Sequence, residues 1–437
     1  MGTTLTSTRP AARALPGLTL ARMAGLFAVR LLLLVALFAA ALPVAAMPIS
    51  TLVPTFIWLV LLLAMLALVA GLIWFRWSAR AMVGAAAGAV VVLALMVAAS
   101  QAFAGTPPIT GAEGAPLPNS IAVLEEVTLN GSQQWITIRG EDSRNPVLLN
   151  LGMGGLGGGG FATRGYFEPL EAHFTVVSWD EPGTGKSFNA VPFSALTPER
   201  FVADAHALAE LLRARFQQEK IYVYGVSWTS ILGVWLVQQY PDLFYAYIGN
   251  GQMVNTTEND QLGYQLALDY SAARGDSRTL ETLRRNGPPP YTGDAVVFKY
   301  LAFLDVLNDY MHAPRYALVV PIVPVFSPEY GWVDKINHTR GLIDSFNVVY
   351  PQLRDLDFMT QAATLEVPVY LFAGRDDVNA MSSLVEQWYD QLEAPSKSLT
   401  WLAGGHGLDD SNLDQFTEVM INQVLAQTYP AAQAQEQ

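Results

Sequence analysis

The chain has 437 residues, enough for two or three units of ordinary domain size. Hydrophobic residues make up 51% of it and the mean hydropathy is +0.27, so part of the chain is expected to lie in lipid. Six of the 25 basic residues fall in residues 1–104, which hold no acidic residue, and the other 19 stand against 38 acidic ones. The chain after residue 104 is therefore strongly acidic and repels phosphate backbones, which argues against a nucleic-acid partner. The absence of cysteine excludes disulfides, thiolate metal sites, iron–sulfur clusters and a cysteine nucleophile.

Three apolar runs occupy the N-terminal quarter of the chain. They cover Ala24–Ala46, Leu52–Phe75 and Ala81–Phe103. Each reaches the roughly 20 residues that a helix needs to cross a bilayer. The sequence therefore predicts three transmembrane helices over residues 24–104, after a cytoplasmic tail over residues 1–23. An alternative for the first run is a cleaved signal peptide, because its end is rich in small residues.

The arginines predict how these helices are oriented. Three precede the first run and two lie between the second and third: Arg9, Arg13, Arg22, Arg76 and Arg80. The segment Met47–Ser50, predicted as the loop between the first two runs, carries no charge. The positive-inside rule then places the N-terminus in the cytoplasm and everything after Phe103 outside. The expected location is the cell membrane, with a multi-pass anchor and an extracytoplasmic domain.

Beyond a linker rich in Gly and Pro over residues 105–120, strand and helix patterns alternate over residues 121–250 and 363–430. Thr197 and Pro198 are typical of a helix start, as N-cap and first helical residue. The predicted strands are Val123–Leu129, Trp135–Arg139, Val147–Leu151, Phe174–Trp179, Ile221–Gly225, Phe244–Ile248, Val367–Ala373 and Ser398–Ala403. The alternation predicts an α/β fold in which helices cover both faces of a mostly parallel sheet.

The alternation stops between residues 251 and 362, where the sequence is rich in Tyr, Pro, Asp and Asn and its pattern is mostly helical. In open α/β sheets, ligands bind outside the carboxyl ends of the strands. We therefore expect residues 251–362 to form a helical cap inserted over that edge of the sheet. Residues 431–437 are expected to be a tail.

A serine stands between a predicted strand and a predicted helix in the segment Gly225-Val226-Ser227-Trp228-Thr229. In a nucleophile elbow, G-x-S-x-G, the serine occupies a strained turn that exposes its hydroxyl, and small neighbours let strand and helix approach closely. Gly225 fits this pattern, whereas Thr229 stands where glycine is usual. The alternative is a serine in an ordinary strand-to-helix turn.

Two further residues complete a triad in the order Ser, Asp, His. Asp377 follows the strand that ends at Ala373, with Asp376 as its rival, and could orient an imidazolium. His406 lies in a glycine-flanked loop just past the last predicted strand, while the other four histidines fall in helices, before a strand or in the cap. This is the order of α/β hydrolases.

Two other motifs suggest nucleotide binding. Residues 152–157 match G-x-G-x-x-G, and Asp180 ends the next strand, as in a dinucleotide-binding oxidoreductase. The glycines run on through Gly160, however, and a predicted hairpin precedes the supposed first strand. Residues 183–187 suggest a phosphate-binding loop, but Asp180 occupies the position where that motif requires its first glycine, so this interpretation is rejected.

Together these segments resemble the α/β-hydrolase superfamily, and within it the prolyl-iminopeptidase-like branch of serine peptidases. That branch has a turn with the pattern D-Q-R-G-x-G-x-S, and a similar turn stands here as Asp180-Glu181-Pro182-Gly183-Thr184-Gly185-Lys186-Ser187. Trp228 is similar to the tryptophan of that branch's G-x-S-W-G elbow. Its H-G-G-P-G loop is here Gly152-Met153-Gly154-Gly155-Leu156. The resemblance implies that the backbone N–H groups of Gly154 and Trp228 bind the oxyanion, or Gly155 if the loop is shifted by one residue. It also implies that cap carboxylates bind a peptide's α-amino group, for which Glu258, Asp260, Asp269 and Glu281 are available.

The sequence thus predicts a membrane-anchored serine hydrolase, an aminopeptidase resembling proline iminopeptidases that acts on small peptides. Alternatives are a carboxylesterase or lipase on the same fold, the dinucleotide-binding oxidoreductase, and an inactive binding protein suggested by Thr229 and the altered glycine loop. The expected partners are a small-molecule or short-peptide substrate and the lipid bilayer. No cofactor or metal is expected, and the sequence does not determine an oligomeric state.

Overall fold

The computed structural model describes residues 16–152, 160–293, 295–315 and 321–430. The chain divides into two compact units. The first is helical and extends to Ala102, and the second begins at Phe103 and also includes Ser50–Leu52.

The first unit consists of three helices, α1 (Pro16–Ser50), α2 (Thr55–Trp74) and α3 (Ala79–Ala102). Each is long and apolar enough to cross a membrane. The loop predicted over residues 47–50 is wrong, because α1 continues to Ser50 and residues 51–54 make the connection. The helix continues through Pro48. Within a membrane, a helix satisfies the backbone groups that would have no water to bind.

The second unit contains, in its described part, one mixed sheet of eight strands in the order β1-β2-β4-β3-β5-β6-β7-β8. The strands are β1 Ile121–Leu129, β2 Ser132–Gly140, β3 Val147–Asn150, β4 Thr175–Asp180, β5 Ile221–Val226, β6 Phe244–Asn250, β7 Val369–Gly374 and β8 Lys397–Leu402. β2 runs antiparallel to β1 and β4, and the other pairs are parallel. Asn130 and Gly131 join β1 to β2 with φ angles of 47° and 80°, as a tight hairpin turn requires.

Helices and short 3-10 turns connect and cover these strands. Helices α4 to α13 are Arg164–Phe167, Pro198–Phe216, Trp228–Gln239, Thr256–Ala273, Ser277–Asn286, Val296–Tyr310, Trp332–Val349, Phe358–Gln361, Ser382–Gln391 and Leu413–Val419. The π-helical Met420–Leu425 and the α-helical Ala426–Thr428 continue α13. The 3-10 turns are Gly160–Thr163, Glu168–Leu170, Gly185–Ser187, Phe193–Ala195, Pro241–Leu243, Val323–Phe326 and Tyr350–Leu353.

The sheet separates two hydrophobic cores, because successive side chains of a strand point to opposite faces. On one face, Leu149 and Val223 pack with apolar residues of α5, α6 and α12. On the other, Leu148 and Tyr222 pack with residues of α4 and α13, including Phe416. The predicted α/β fold, with a mostly parallel sheet between helices, is confirmed.

Helices α7 to α11 form an insertion between β6 and β7 with its own apolar cluster around Tyr264, Tyr300 and Phe303. The hydroxyl of Ser345 on α10 donates to the carbonyl of Gly183, just past β4. Met311, past the end of α9, accepts through its sulfur from the N–H of Val378, which follows β7. The insertion therefore lies against the loops at the carboxyl edge of the sheet.

Strand β5 and helix α6 approach each other very closely at Gly225. A Cβ atom at this position would lie 2.2 Å from the carbonyl oxygen of Thr229 and 2.9 Å from the amide nitrogen of Ser230. These are backbone atoms of the first turn of α6, which no side-chain rotation can move aside. Glycine at residue 225 is what permits the sharp turn between β5 and α6.

We expect Gly225→Ala to destabilise the protein, because the added methyl group collides with the backbone of α6. Overpacking of this kind costs about 1–3 kcal/mol. The midpoint of thermal unfolding of the detergent-solubilised full chain should fall by several degrees. Gly165→Ala is the matched control, because nothing lies within 4 Å of the added Cβ atom there. Equal midpoints for the two variants would contradict the close approach.

Candidate active site

Ser227 occupies the sharp turn between β5 and α6. Its φ of 55° and ψ of −120° place a non-glycine residue in a region that L-amino acids rarely adopt. Its N–H donates to the carbonyl of Asn250 at the end of β6, at 3.1 Å. Such strain persists only where the surrounding structure enforces it, and it clusters at functional sites. The turn has the backbone geometry of a nucleophile elbow.

Thr229, which departs from the usual glycine, uses its hydroxyl inside this turn. The Oγ1 atom accepts a hydrogen bond from the N–H of Val226 at 2.8 Å. The same hydroxyl can donate to the carbonyl of Val226 at 3.0 Å or to that of Gly152 at 3.2 Å. Thr229 is fully buried, so these bonds satisfy a polar group that would otherwise be costly. Threonine at this position thus links the elbow to the start of the glycine-rich loop.

Asp377 and His406 are brought together by the loops that follow β7 and β8. The Nδ1 atom of His406 lies 2.9 Å from Oδ2 of Asp377. The other carboxylate oxygen accepts from the N–H groups of Asn379 and Ala380, each at 2.9 Å. The rival Asp376 is exposed and does not contact the imidazole. Because Nδ1–H donates a hydrogen bond to the carboxylate, Nε2 is left as the ring's acceptor.

The pKa of His406 reflects two opposing effects. Burial lowers it, but the negative charge of Asp377 and its hydrogen bond raise it by more. The net result is a pKa above the usual value of 6.5. An imidazole of raised pKa is a stronger base, and it accepts the proton of a hydroxyl more readily in its neutral form.

Gly251 was not predicted from the sequence, although it holds the imidazole in place. It follows β6 with a φ of +52°, and its N–H donates to the carbonyl of Phe372 in β7. A Cβ atom here would lie 2.9 Å from Cε1 and 3.0 Å from Nδ1 of His406. The bare backbone therefore forms one wall against the ring. A glycine directly after a buried strand was the only signal of this role in the sequence.

Ser227 and His406 line the same cavity, which has a volume of about 130 Å³. Its other walls come from the end of β3, from the region of α4, from β5 and from Gly407 and Leu408. Gly154 and Gly155, implied as oxyanion donors, lie outside the described residues. The third implied donor, Trp228, is the first residue of α6.

The side chain of Trp228 is buried against the turn that follows β4. Its Nε1–H is shared between the two carboxylate oxygens of Glu181, at 3.2 and 3.3 Å. Burial, opposed by this bond and assisted by the charge of Asp180, raises the pKa of Glu181 to about 8. The bond fixes the side chain of the residue whose backbone N–H is the implied oxyanion donor.

The groups that suggested nucleotide binding are engaged within the protein. The carboxylate of Asp180, fully buried, accepts from the Tyr330 hydroxyl at 2.6 Å and from the N–H of Lys186 at 2.9 Å. The Nζ atom of Lys186 forms an ion pair with Asp334 at 3.0 Å. These contacts argue against the dinucleotide and phosphate-loop interpretations.

The four cap acids do not reach the cavity that Ser227 lines. Glu258, Asp269 and Glu281 are exposed. Asp260 is buried and accepts from the hydroxyl of Tyr350 at 2.9 Å. The structure thus assigns none of these carboxylates to the site.

Comparison with known proteins agrees with this architecture. Residues 145–286 match the Abhydrolase_1 family, the alpha/beta hydrolase fold. Over 289 residues the chain is 31% identical to the Bacillus subtilis (strain 168) protein named Probable aminopeptidase YbaC, covering 64% of this chain and 89% of that protein.

Two solved structures show the same fold. A proline iminopeptidase from Mycobacterium smegmatis has a TM-score of 0.52 at 17% identity, covering 70% of this chain and 99% of that one. A proline iminopeptidase-related protein from Thermus thermophilus also has a TM-score of 0.52, at 19% identity, covering 71% and 99%. The strand order, the elbow and the extent of the match to the Bacillus subtilis protein lead to one conclusion: the chain belongs to the alpha/beta hydrolase family.

Proposed function

We propose that the protein is a serine hydrolase with Ser227 as nucleophile, His406 as general base and Asp377 as the residue that orients His406. One observation carries this proposal. An imidazole hydrogen-bonded to a buried carboxylate shares a small cavity with a serine held in a strained turn. This arrangement suits acyl transfer to water, because the base, its orienting group and the nucleophile are fixed by three different strand ends.

The mechanism follows from these positions. His406 takes the proton of Ser227 through Nε2 while the serine oxygen attacks the substrate's carbonyl carbon. The imidazolium then delivers that proton to the leaving atom, which departs and leaves an acyl-enzyme. A water molecule, activated in turn by His406, attacks the acyl group and releases Ser227. The backbone N–H groups of Trp228 and Gly154 are our proposed donors to the oxyanion.

For the substrate, we propose a small peptide or amide cleaved at its N-terminal residue. The similarity to a protein named an aminopeptidase supports this choice. A carboxylesterase is the second candidate, because no carboxylate is among the described residues that line the cavity. Rates for aminoacyl anilides measured against N-acetylated aminoacyl esters separate the two, since only an aminopeptidase requires a free α-amino group.

Labelling with a fluorophosphonate probe tests the nucleophile. We expect the wild-type chain to be labelled at Ser227 and Ser227→Ala to lose the label completely, because the probe captures only an activated serine. Ser143→Ala is the control, since Ser143 lies in a turn remote from the elbow and should leave labelling unchanged. Modification mapped to another residue, or no labelling of the folded wild-type chain, would refute the assignment of Ser227.

The pH dependence of kcat/KM tests His406 and Asp377. Activity should fall as pH drops through the pKa of His406, because the protonated ring cannot accept the serine proton. Since Asp377 holds that pKa above 6.5, the acid limb should lie above pH 6.5. In Asp377→Asn the limb should move to lower pH, because only the lowering effect of burial remains, and kcat should fall by about 10⁴. Asp376→Asn is the matched control and should keep the wild-type profile. An unshifted limb in Asp377→Asn would count against the pairing.

We also propose that α1 to α3 anchor the protein with the hydrolase unit outside the cytoplasm. The natural absence of cysteine makes single-cysteine labelling a direct test. In right-side-out membrane vesicles, a membrane-impermeant maleimide should label Ser143→Cys but not Ser78→Cys, which lies between α2 and α3. Detergent should make both accessible. The reverse pattern would overturn the orientation set by the arginines.

A further inference from the structure

Four large apolar side chains of the insertion are exposed on one short stretch of chain. Ile322 stands just before the 3-10 turn Val323–Phe326, and Phe326 ends it; they are 52% and 57% exposed. Val333 and Ile336, 43% and 58% exposed, are three residues apart on α10 and so share one face of it. The 3-10 turn packs against α10. These four residues form what we call the apolar patch.

Three charged residues lie between the members of the apolar patch in the chain, and all three are buried. The carboxylate of Glu329 forms an ion pair with Arg164 at 3.0 Å. That of Asp334 pairs with Lys186, also at 3.0 Å. The Nζ atom of Lys335 donates to two backbone carbonyls, at 2.7 and 2.5 Å. The stretch thus exposes no charge, although the chain after residue 104 has 38 acidic and 19 basic residues.

The chain reaches the apolar patch directly from a helix that is long and apolar enough to cross a membrane. Helix α3 ends at Ala102, and three residues later the N–H of Gly105 donates to the carbonyl of Pro328 at 3.2 Å. Pro328 lies between Phe326 and Val333 in the chain. The segment that leaves α3 is therefore bonded to the middle of the patch-bearing stretch.

A second connection between the apolar helices meets the same point of the second unit. Leu52 belongs to the segment that joins α1 to α2, and a Cβ atom at Gly105 would lie 3.6 Å from its Cδ1 atom. The linker is fixed here, because the guanidinium of Arg139 donates to the Thr106 hydroxyl at 2.8 Å and to the carbonyl of Pro107. Both connections are thus held beside the apolar patch.

Chain length limits how far the apolar patch can lie from a bilayer that α3 crosses. Three residues span at most about 10 Å. The interfacial layer on each side of the hydrocarbon core is about 5–7 Å thick. A face at this distance from lipid either stays hydrated or enters the layer. Four exposed apolar side chains with no exposed charge between them favour entry.

We propose that the apolar patch is a membrane-docking surface, which inserts into the lipid layer beside the end of α3. The inference rests on the proposed anchoring by α1 to α3. It does not depend on their orientation, because both connections lie on the same side of three spanning helices either way. Each Phe or Ile side chain that leaves water for lipid favours docking by about tenfold or more. Arg340, one turn beyond Ile336 on α10, is exposed and supplies a cation for lipid phosphates at the rim.

Single cysteines carrying a fluorophore test docking in the full chain, which has no cysteine of its own. Phe326→Cys and Phe298→Cys are a matched pair, because both phenylalanines belong to the insertion and are 57% and 58% exposed. Phe298 lies away from the patch: the N–H of its neighbour Val297 donates to the side chain of Asn347. Asn347 is about 20 Å along α10 from Val333.

The labelled variants are placed in lipid nanodiscs. Spin labels on the lipid acyl chains quench fluorophores in lipid, and aqueous iodide quenches those in water. We expect the spin-labelled lipid to quench the label of Phe326→Cys at least about twice as strongly as that of Phe298→Cys, and iodide to show the reverse order. Equal quenching by iodide at the two positions would overturn the proposal. Protection from iodide without quenching by lipid would also overturn it, because a protein surface would then cover the patch.

Removing the neighbouring apolar side chains tests whether they drive the insertion. Ile322→Ser and Ile336→Ser, introduced together into the labelled Phe326→Cys chain, should reduce quenching by the spin-labelled lipid by about half or more. The midpoint of thermal unfolding should not change, because both side chains are exposed. Undiminished quenching in this folded variant would contradict docking through the apolar patch.

A carbonate wash of membranes separates this proposal from the anchoring on which it rests. If carbonate releases the chain, α1 to α3 do not anchor it, and both proposals fail. If the chain stays in the membrane but the label of Phe326→Cys remains in water, the anchor stands and docking alone fails. Neither result changes the assignment of Ser227, which fluorophosphonate labelling tests separately.

Discussion

The hydrogen bond between Asp377 and His406 depends on the parallel strands of the sheet ending at one edge. β5, β7 and β8 each deliver one member of the proposed triad from a loop at that edge. The loops after β7 and β8 meet so closely that a Cβ atom at Gly374 would lie 2.0 Å from the carbonyl oxygen of Gly405. Together with Gly251, these glycines let backbone pack where side chains would push the imidazole away. The absence of side chains at these glycines thus sets the geometry of the site as much as the reacting groups do.

A second layer of buried polar groups supports the site from below the cap. Asp180 ends β4 and contacts Tyr330. Glu181 and Lys186 follow β4 and contact Trp228 and Asp334, respectively. Burial raises the pKa of Asp180 to about 7, despite the hydrogen bonds that favour its charged form. Residues that resembled a nucleotide motif therefore serve to join the turn after β4 to the insertion. Their composition reflects the need to satisfy each buried polar group with a partner.

Much of the fold could be predicted because it rests on local patterns. The N-cap Thr197 accepts from the N–H of Arg200 as its position before Pro198 indicated, and the Asn130-Gly131 turn has the expected positive φ angles. The proposed triad could be suggested from the sequence because each member follows a strand and chain order is informative in this fold. The role of Gly251 could not be predicted from the sequence, because it arises from contact with His406, which is distant in the chain. The loop over residues 47–50 was misplaced because composition does not mark where a helix in an apolar segment ends. The role of Gly154 as an oxyanion donor stays a prediction.

The bond between Tyr330 and Asp180 has a consequence for how substrate enters. Both side chains are fully buried, and one belongs to the insertion while the other ends β4. Lifting the insertion as a rigid lid at this point would strand a carboxyl and a phenol without partners, at a cost of about 1–3 kcal/mol for each group. Molecules would reach Ser227 more easily along the cavity that His406, Gly407 and Leu408 border. Access to the proposed active site would then depend on that cavity, while the insertion above it stays in place.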